Sequence, residues 1–178
     1  MIAGGFGAGK TTLVGAASEI DPLKTEEPLT AAGQHTDCLH GVEDKTTTTV
    51  LMDFGRITLR EQGLVLLLFG TPGQERFRFL WESLTRGSLG AIVLADTRRL
   101  QDSYDSIGFF EDSGLPFAVA VNQFDGADRY HADEVKTALQ LDPHVPVLLC
   151  DARDRQSARS VLIALVTHAL HRSRPTTT

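Results

Sequence analysis

Several kinds of chemistry are scarce in this chain. It has two cysteines in 178 residues. Cys38 and Cys150 stand far apart without zinc-type spacing, so a disulfide scaffold or a structural zinc site is not expected, and a reducing cytoplasm fits. The six histidines show no ligand spacing either. No apolar run approaches the ~18 residues of a membrane span, and no leader pattern opens the chain. The last residues, "HRSRPTTT", offer no cysteine for prenylation, and Ile2 is not a glycine for myristoylation. Any membrane association is therefore expected to come through a partner. Basic charge is also short: 17 Lys and Arg against 23 Asp and Glu give a net charge of −6. With no surplus to replace counterions, a nucleic-acid-binding role is disfavoured. There are no internal repeats.

What is present suits an ordinary enzyme-sized domain. Hydrophobic residues make up 42% and charged residues 22%, which argues against disorder. The length is most simply read as one domain over 1–178. Strand-like runs lie at Thr49–Asp53, Leu64–Phe69, Ala91–Asp96, Phe117–Asn122 and Val145–Cys150. The last four are almost wholly apolar, as strands covered on both faces of a parallel sheet must be. Helical patterns fall between them, at Thr11–Glu19, Glu75–Thr85, Arg99–Glu111, Ala132–Leu141 and about Ser157–Leu170. The last places Val161, Leu162, Leu165, Val166 and Ala169 on one face. This alternation predicts a doubly wound α/β domain. "MDFGRITLREQGLVLLLF" interrupts it and reads as a hairpin turning near Glu61–Gly63, so one antiparallel edge strand is expected. Asp21–Lys45 is polar and aperiodic, a long loop of the kind that is usually functional or mobile. The tail beyond His171 (172–178) is expected to fray.

"GGFGAGKTT" satisfies G-x-x-x-x-G-K-[ST] with Gly4, Gly9, Lys10 and Thr11. Glycines let the backbone turn so that successive N–H groups face phosphate oxygens, and the following helix adds its N-terminal dipole. Gly4, Phe6, Gly7, Ala8, Gly9, Lys10, Thr11 and Thr12 are thus the candidate phosphate-binding residues. Lys10 would reach the β- and γ-phosphates, and the Thr11 hydroxyl would bind Mg²⁺. Only Met1, Ile2 and Ala3 precede the motif, although the strand feeding a P-loop is normally longer. The favoured expectation is a true start further upstream; the alternative is a fold that tolerates a stunted central strand.

The order of the remaining motifs resembles a Ras-like small GTPase. "TVLMDF" is similar to the switch I pattern T-x-x-x-D-F, which makes Thr49 a second Mg²⁺ ligand by resemblance. It lies 39 positions after Lys10, about twice the usual spacing. "GTPGQERF" resembles the switch II pattern D-x-x-G-Q-E. By that match Gly73 would donate its N–H to the γ-phosphate and Gln74 would orient the attacking water. Gly70 stands where the family carries a Mg²⁺-associated aspartate, so a weakened metal site is expected. The bacterial gliding-motility GTPases (the MglA type) have a similar T-x-P-G-Q without that aspartate.

"VNQFDG" resembles the N-K-x-D guanine motif. Asn122 would tie this loop to the P-loop. Asp125 would accept hydrogen bonds from guanine N1–H and the 2-amino group, which adenine cannot supply. Gln123 replaces the usual lysine. "CDAR" resembles the S-A-K loop, in which the Ala152 N–H would meet guanine O6 and Arg153 would stack on the base. Phe6 is bulky for its P-loop position and should obstruct an arginine finger from a partner. An intrinsic catalytic arginine is therefore expected, with Arg56 or Arg76 as candidates. Trp81, with Phe77 and Leu84, is at helical spacing and reads as core packing or as a partner-facing stripe.

Together with "KTTTTVLMDFGRI" and "LADTRR", these motifs resemble the conservon-type Ras-like GTPases of actinobacteria. The resemblance implies a P-loop G domain with a mostly parallel six-stranded sheet, one antiparallel edge strand and helices on both faces. It also implies GTP/GDP and Mg²⁺ as ligands, and partners that include a roadblock/LC7-type regulator and a sensor-kinase-like protein. Three functions stay open on the sequence: a GTPase switch, a nucleotide-binding scaffold with negligible hydrolysis, and a P-loop kinase or ATPase. The guanine motif disfavours the third.

Overall fold

The apolar runs pair side by side into one sheet. The structure, a computed structural model, describes residues 1–22, 26–28, 47–49, 52–72 and 79–172. In chain order the elements are β1 (Ile2–Gly4), α1 (Lys10–Ala17), β2 (Glu26–Pro28), β3 (Thr47–Thr49), β4 (Asp53–Leu59), β5 (Leu64–Gly70) and α2 (Phe79–Thr85). Then come β6 (Ala91–Ala95), α3 (Tyr104–Ser113), β7 (Phe117–Asn122), α4 (Ala132–Ala138), β8 (Val147–Cys150) and α5 (Arg155–Arg172). Six strands form the main sheet in the order β4-β5-β1-β6-β7-β8. β4 and β5 are the expected antiparallel hairpin, and the other neighbours run parallel. This is the P-loop architecture of Ras-like domains, with the edge strand where the hairpin pattern put it.

Alternation along the buried strands divides the core into two layers. Ile2, Ile92 and Leu94 face α1 and α5, where Leu13, Val14, Val161, Leu162 and Val166 pack. Ala3, Ala91 and Val93 face the opposite layer, with Phe110, Val135 and Trp81. The apolar face read along α5 is the buried one. Trp81 is 6% exposed. Its ring lies edge-on to Phe109 at 5.3 Å and stacks on Phe110 at 6.1 Å, so it is a core residue. Among the described residues no helix is long and apolar enough to cross a membrane.

Three local expectations differ from the structure. The helix expected over Arg99–Glu111 is a 3-10 segment, Thr97–Ser103, followed by α3. Arg99 departs from helical geometry there (φ −147°, ψ 56°), because its side chain is drawn into the interior between two carboxylates. The run Thr49–Asp53 does not form one strand. Thr47–Thr49 pairs antiparallel with Glu26–Pro28 in a separate small sheet, the latter strand lying inside the expected loop Asp21–Lys45, whereas Asp53 opens β4. The last buried strand starts at Val147, not Val145. The Lys136 ammonium donates to the carbonyls of Pro143 (2.6 Å) and Val145 (2.9 Å), fixing the preceding turn.

β1 is short. Ile2 pairs with Gly70 on one side and Ile92 on the other. The terminal amine of Met1 donates to the Gly90 carbonyl at 2.9 Å, and burial lowers its pKa to about 6. A cavity of about 280 Å³ lies beside it, walled by β5, the Gly87–Gly90 turn and α5.

Candidate nucleotide site

The phosphate loop is held from below and from the side. Gly9 caps α1 with φ 103°, a left-handed conformation, and a Cβ there would come within 2.6 Å of Asn122 Nδ2. A side chain is thus strained on two counts. Lys10 is buried, and its ammonium donates to the carbonyls of Gly4 (2.9 Å) and Gly5 (2.7 Å). The charge is therefore already at the mouth of the loop. Phe6 is buried, and its carbonyl accepts from Arg99 Nη2 at 2.7 Å. Arg99 is only 2% exposed and lies 3.5 Å from both Asp96 and Asp102. A buried cation needs such partners, and here they fix the loop's outer turn to the segment after β6. Sequence reasoning missed Arg99; the only trace was the unassigned "LADTRR".

The base side is built from three loops joined by one amide. Asn122 Nδ2 donates to the Ala8 carbonyl at 3.0 Å, and its Oδ1 accepts from the Ala152 N–H at 3.0 Å. Asn122 thereby clasps the P-loop to the "CDAR" loop. The Ala152 N–H expected to meet a base oxygen is here engaged by this clasp. A cavity of about 310 Å³ opens between these loops, walled by Gly7, Gly9, Thr12, Asn122, Gln123, Phe124, Asp125, Ala152, Arg153 and Arg98. Arg98 was not foreseen. It forks onto Asp96 at 2.7 and 2.9 Å, and its guanidinium lies 3.9 Å over the Phe124 ring. Gln123 accepts from Arg129.

Arg153 bridges the two acidic residues of the pocket rim. It donates to Asp125 at 2.6 and 3.2 Å and to Asp151 at 2.9 and 3.0 Å. Hydrogen bonds from Arg153 hold the Asp125 carboxyl below the usual range and bring Asp151 down to about 2. Asp125 is therefore an ionised, acceptor-only group at neutral pH. Arg153 is thus paired to two carboxylates at the rim of the cavity.

At the other end of the P-loop, the Thr11 hydroxyl donates to Asp53 Oδ2 at 2.6 Å. Asp53 is 1% exposed and sits directly opposite Gly70 across the β4–β5 ladder. Thr11 and Asp53 offer hard oxygen donors of the kind Mg²⁺ prefers, so this corner fits the metal that the fold implies.

The other expected residues do not converge there. Arg56 lies 3.5 Å from Glu19, and its carbonyl accepts from the Glu19 N–H at 2.7 Å. That is the far end of α1 from Thr11, about 12 Å away for a helix of this length. The structure gives Arg56 no approach to the phosphate loop, because β4 runs alongside α1 away from it. Thr49 pairs through its backbone with Glu26. Gly73, Gln74, Arg76 and Phe77 lie outside the described residues.

A glycine-rich turn between a buried strand and a helix, with a base pocket clasped to it, defines a nucleotide-binding protein of Ras-like fold. The structure is similar to that of the Arl6 BBS3 small GTPase from Trypanosoma brucei, which was solved with bound nucleotide analogue GppNp. The TM-score is 0.67 at 19% identity, covering 97% of this chain and 96% of that one. A likeness at that identity concerns the fold. Residues 2–172 match the family described as conserved hypothetical ATP binding protein, and the chain belongs to that family. A stretch of 94 residues is 31% identical to the uncharacterized protein MJ1339 of Methanocaldococcus jannaschii, covering 52% of this chain. It spans only 59% of that relative's length.

Proposed function

We propose that this protein is a guanine-nucleotide switch: it binds GTP and GDP with Mg²⁺, hydrolyses GTP slowly, and presents its nucleotide state to other proteins. The observation that carries this reading is the Asn122 clasp, which gathers the P-loop, the "NQFD" loop and the "CDAR" loop around one cavity. An ionised Asp125 on the rim is matched to the two N–H groups on the guanine edge. Arg98 and Phe124 supply a flat wall against which a planar base can lie. In the reaction, Lys10 and the P-loop amides hold the phosphates, and Gln74 positions the attacking water. A Mg²⁺ ion, which Thr11 and Thr49 would hold, would supply positive charge against the phosphates. Acceleration by a roadblock/LC7-type partner, beside a sensor-kinase-like protein, completes the proposal on sequence resemblance.

A second reading, an adenine-nucleotide protein, is favoured by the family's description. It gains from the Ala152 N–H being engaged by Asn122, which removes one contact expected for guanine. Competition between GTP and ATP for the purified protein, with single-turnover hydrolysis of each, tests both. Tighter GTP binding with measurable GDP formation supports the switch. Equal or tighter ATP binding overturns the guanine assignment, and binding without turnover, with or without the partner, leaves a scaffold.

A further inference from the structure

Asp125 and Arg98 line one cavity and offer a base two different kinds of contact. A carboxylate meets the edge of a base, where donors and acceptors differ from base to base. A guanidinium is planar and meets the face, which every base has. The Arg98 guanidinium lies 3.9 Å over the Phe124 ring, and both groups wall the cavity beside Gly7 of the phosphate loop. Gln123, the neighbour of Phe124, brings no charge to this wall, and its side-chain oxygen accepts from Arg129. Arg98 is also held in a set orientation. Asp96, directly after β6 and 3% exposed, accepts from Arg98 Nε at 2.9 Å, from Nη2 at 2.7 Å and from the backbone N–H at 3.0 Å. A two-point fork fixes the plane of the guanidinium as well as its position. Ordering it costs little more when a ligand arrives, and such pre-organisation favours affinity. Its charge is already matched by Asp96, so it acts by contact with a flat group more than by long-range attraction for phosphate.

We infer that Arg98 is the stacking residue of this site: its guanidinium, stacked on Phe124 and set by Asp96, takes the face of the base and supplies affinity that is blind to base identity, while Asp125 carries the choice between bases. The inference rests on the nucleotide-binding reading of the same cavity, and it holds for guanine and adenine alike. Affinity and selectivity are then divided between two side chains from different loops.

The test is equilibrium competition by GDP, IDP and ADP against fluorescent GDP or fluorescent ADP, whichever the wild type binds. IDP lacks the 2-amino group of guanine, so it changes the edge and keeps the face. Arg98→Ala should weaken the ligands by about 10-fold, all by the same factor to within threefold. Arg98→Lys keeps a charge beside Asp96 and loses the plane, so it should recover less than half of that loss on a logarithmic scale. Phe124→Leu removes the ring beneath the guanidinium and should also weaken binding. Combined with Arg98→Ala it should add no more than threefold, because the two act as one unit. A residue that merely braced the loop would displace Asp125 when removed and shift the GDP-to-IDP ratio along with the affinity. Such a shift, a loss under threefold in Arg98→Ala, or full recovery in Arg98→Lys would overturn the inference and leave nucleotide binding intact. Should Arg98→Ala not fold, Arg98→Lys decides: reduced affinity at an unchanged GDP-to-IDP ratio supports stacking, and wild-type affinity overturns it. If the wild type binds no nucleotide, the nucleotide reading itself falls and takes the inference with it.

Discussion

Replacing Asn122 by alanine should damage affinity more than it damages the fold. The side chain is buried, and both of its polar atoms are used, to Ala8 and to Ala152, at 3.0 Å each. Each bond contributes about 1 kcal/mol net, and an orphaned partner costs about as much again. The loops lie at the surface, so water satisfies part of that loss, and a fall of about 2 kcal/mol in unfolding free energy is expected. The larger effect is on the pocket. Without the clasp, nucleotide must bring the P-loop and the "CDAR" loop together as it binds. Charging about 2 kcal/mol to that step weakens binding by roughly 30-fold. The assay is titration with fluorescent GDP beside urea unfolding. Val119→Ala on the same strand, buried but remote from the loops, serves as a control that lowers stability and leaves affinity alone. If Asn122→Ala loses stability and keeps its dissociation constant within threefold, the clasp is architectural and the reasoning fails.

Arg99→Met should cost about 3 kcal/mol of stability, because it leaves Asp102 and the Phe6 carbonyl without their buried cation. Arg99→Lys should recover little of this, since a point charge cannot span three acceptors; thermal unfolding of both variants decides, and a loss under ~1 kcal/mol for Arg99→Met counts against the role. With Met1 as the first residue, the terminal amine has a pKa of about 6 when folded against 8.0 when free. The unfolded chain therefore binds more protons between those values, and stability should rise with pH from 6 to 8, by up to about 3 kcal/mol, then level off. Burial lowers His168 as well, in the same direction. Urea unfolding at three pH values shows this, and a flat or falling profile refutes it. Asp125→Asn should reduce the preference for GTP over ATP by at least ~10-fold in competition binding; an unchanged ratio places base selection elsewhere.

The sheet was legible because its inner strands are apolar on both faces and its hairpin keeps a turn signal between two short runs. The P-loop and the "NQFD" loop were legible because their residue types are dictated locally, by phosphate geometry and by a turn after a strand. What escaped depends on pairing across the fold. Asp53 looked like the end of a switch strand. Only the β4–β5 register shows that it faces Gly70, and the oddity at 70 was visible in sequence while its complement was not. Arg98 and Arg99 are adjacent, yet one forms a pocket wall and the other is sealed inside. No periodicity separates those fates, because the 3-10 segment that carries them departs from helical geometry at Arg99. For the same reason the helix expected over Arg99–Glu111 is α-helical only from Tyr104. Arg56 was one of two candidate arginines because its strand follows a switch motif, and the structure pairs it with Glu19.

Arg153 makes the empty pocket a tenanted one. Its fork occupies the carboxylate on which a guanine edge would have to settle. An incoming base is therefore weighed against a side chain as well as against water. Guanine can evict the tenant by offering two N–H groups in exchange, and the evicted guanidinium keeps its lodging on Asp151. Adenine, with a single amino donor beside an acceptor nitrogen, would replace the fork less fully on the proposed reading. If the protein selects guanine as proposed, that selection would work by substitution as much as by shape. Because the pair is open to solvent, dissolved salt loosens the tenant's hold. The vacancy rate of the site, and with it the ease of base entry, becomes a function of ionic strength.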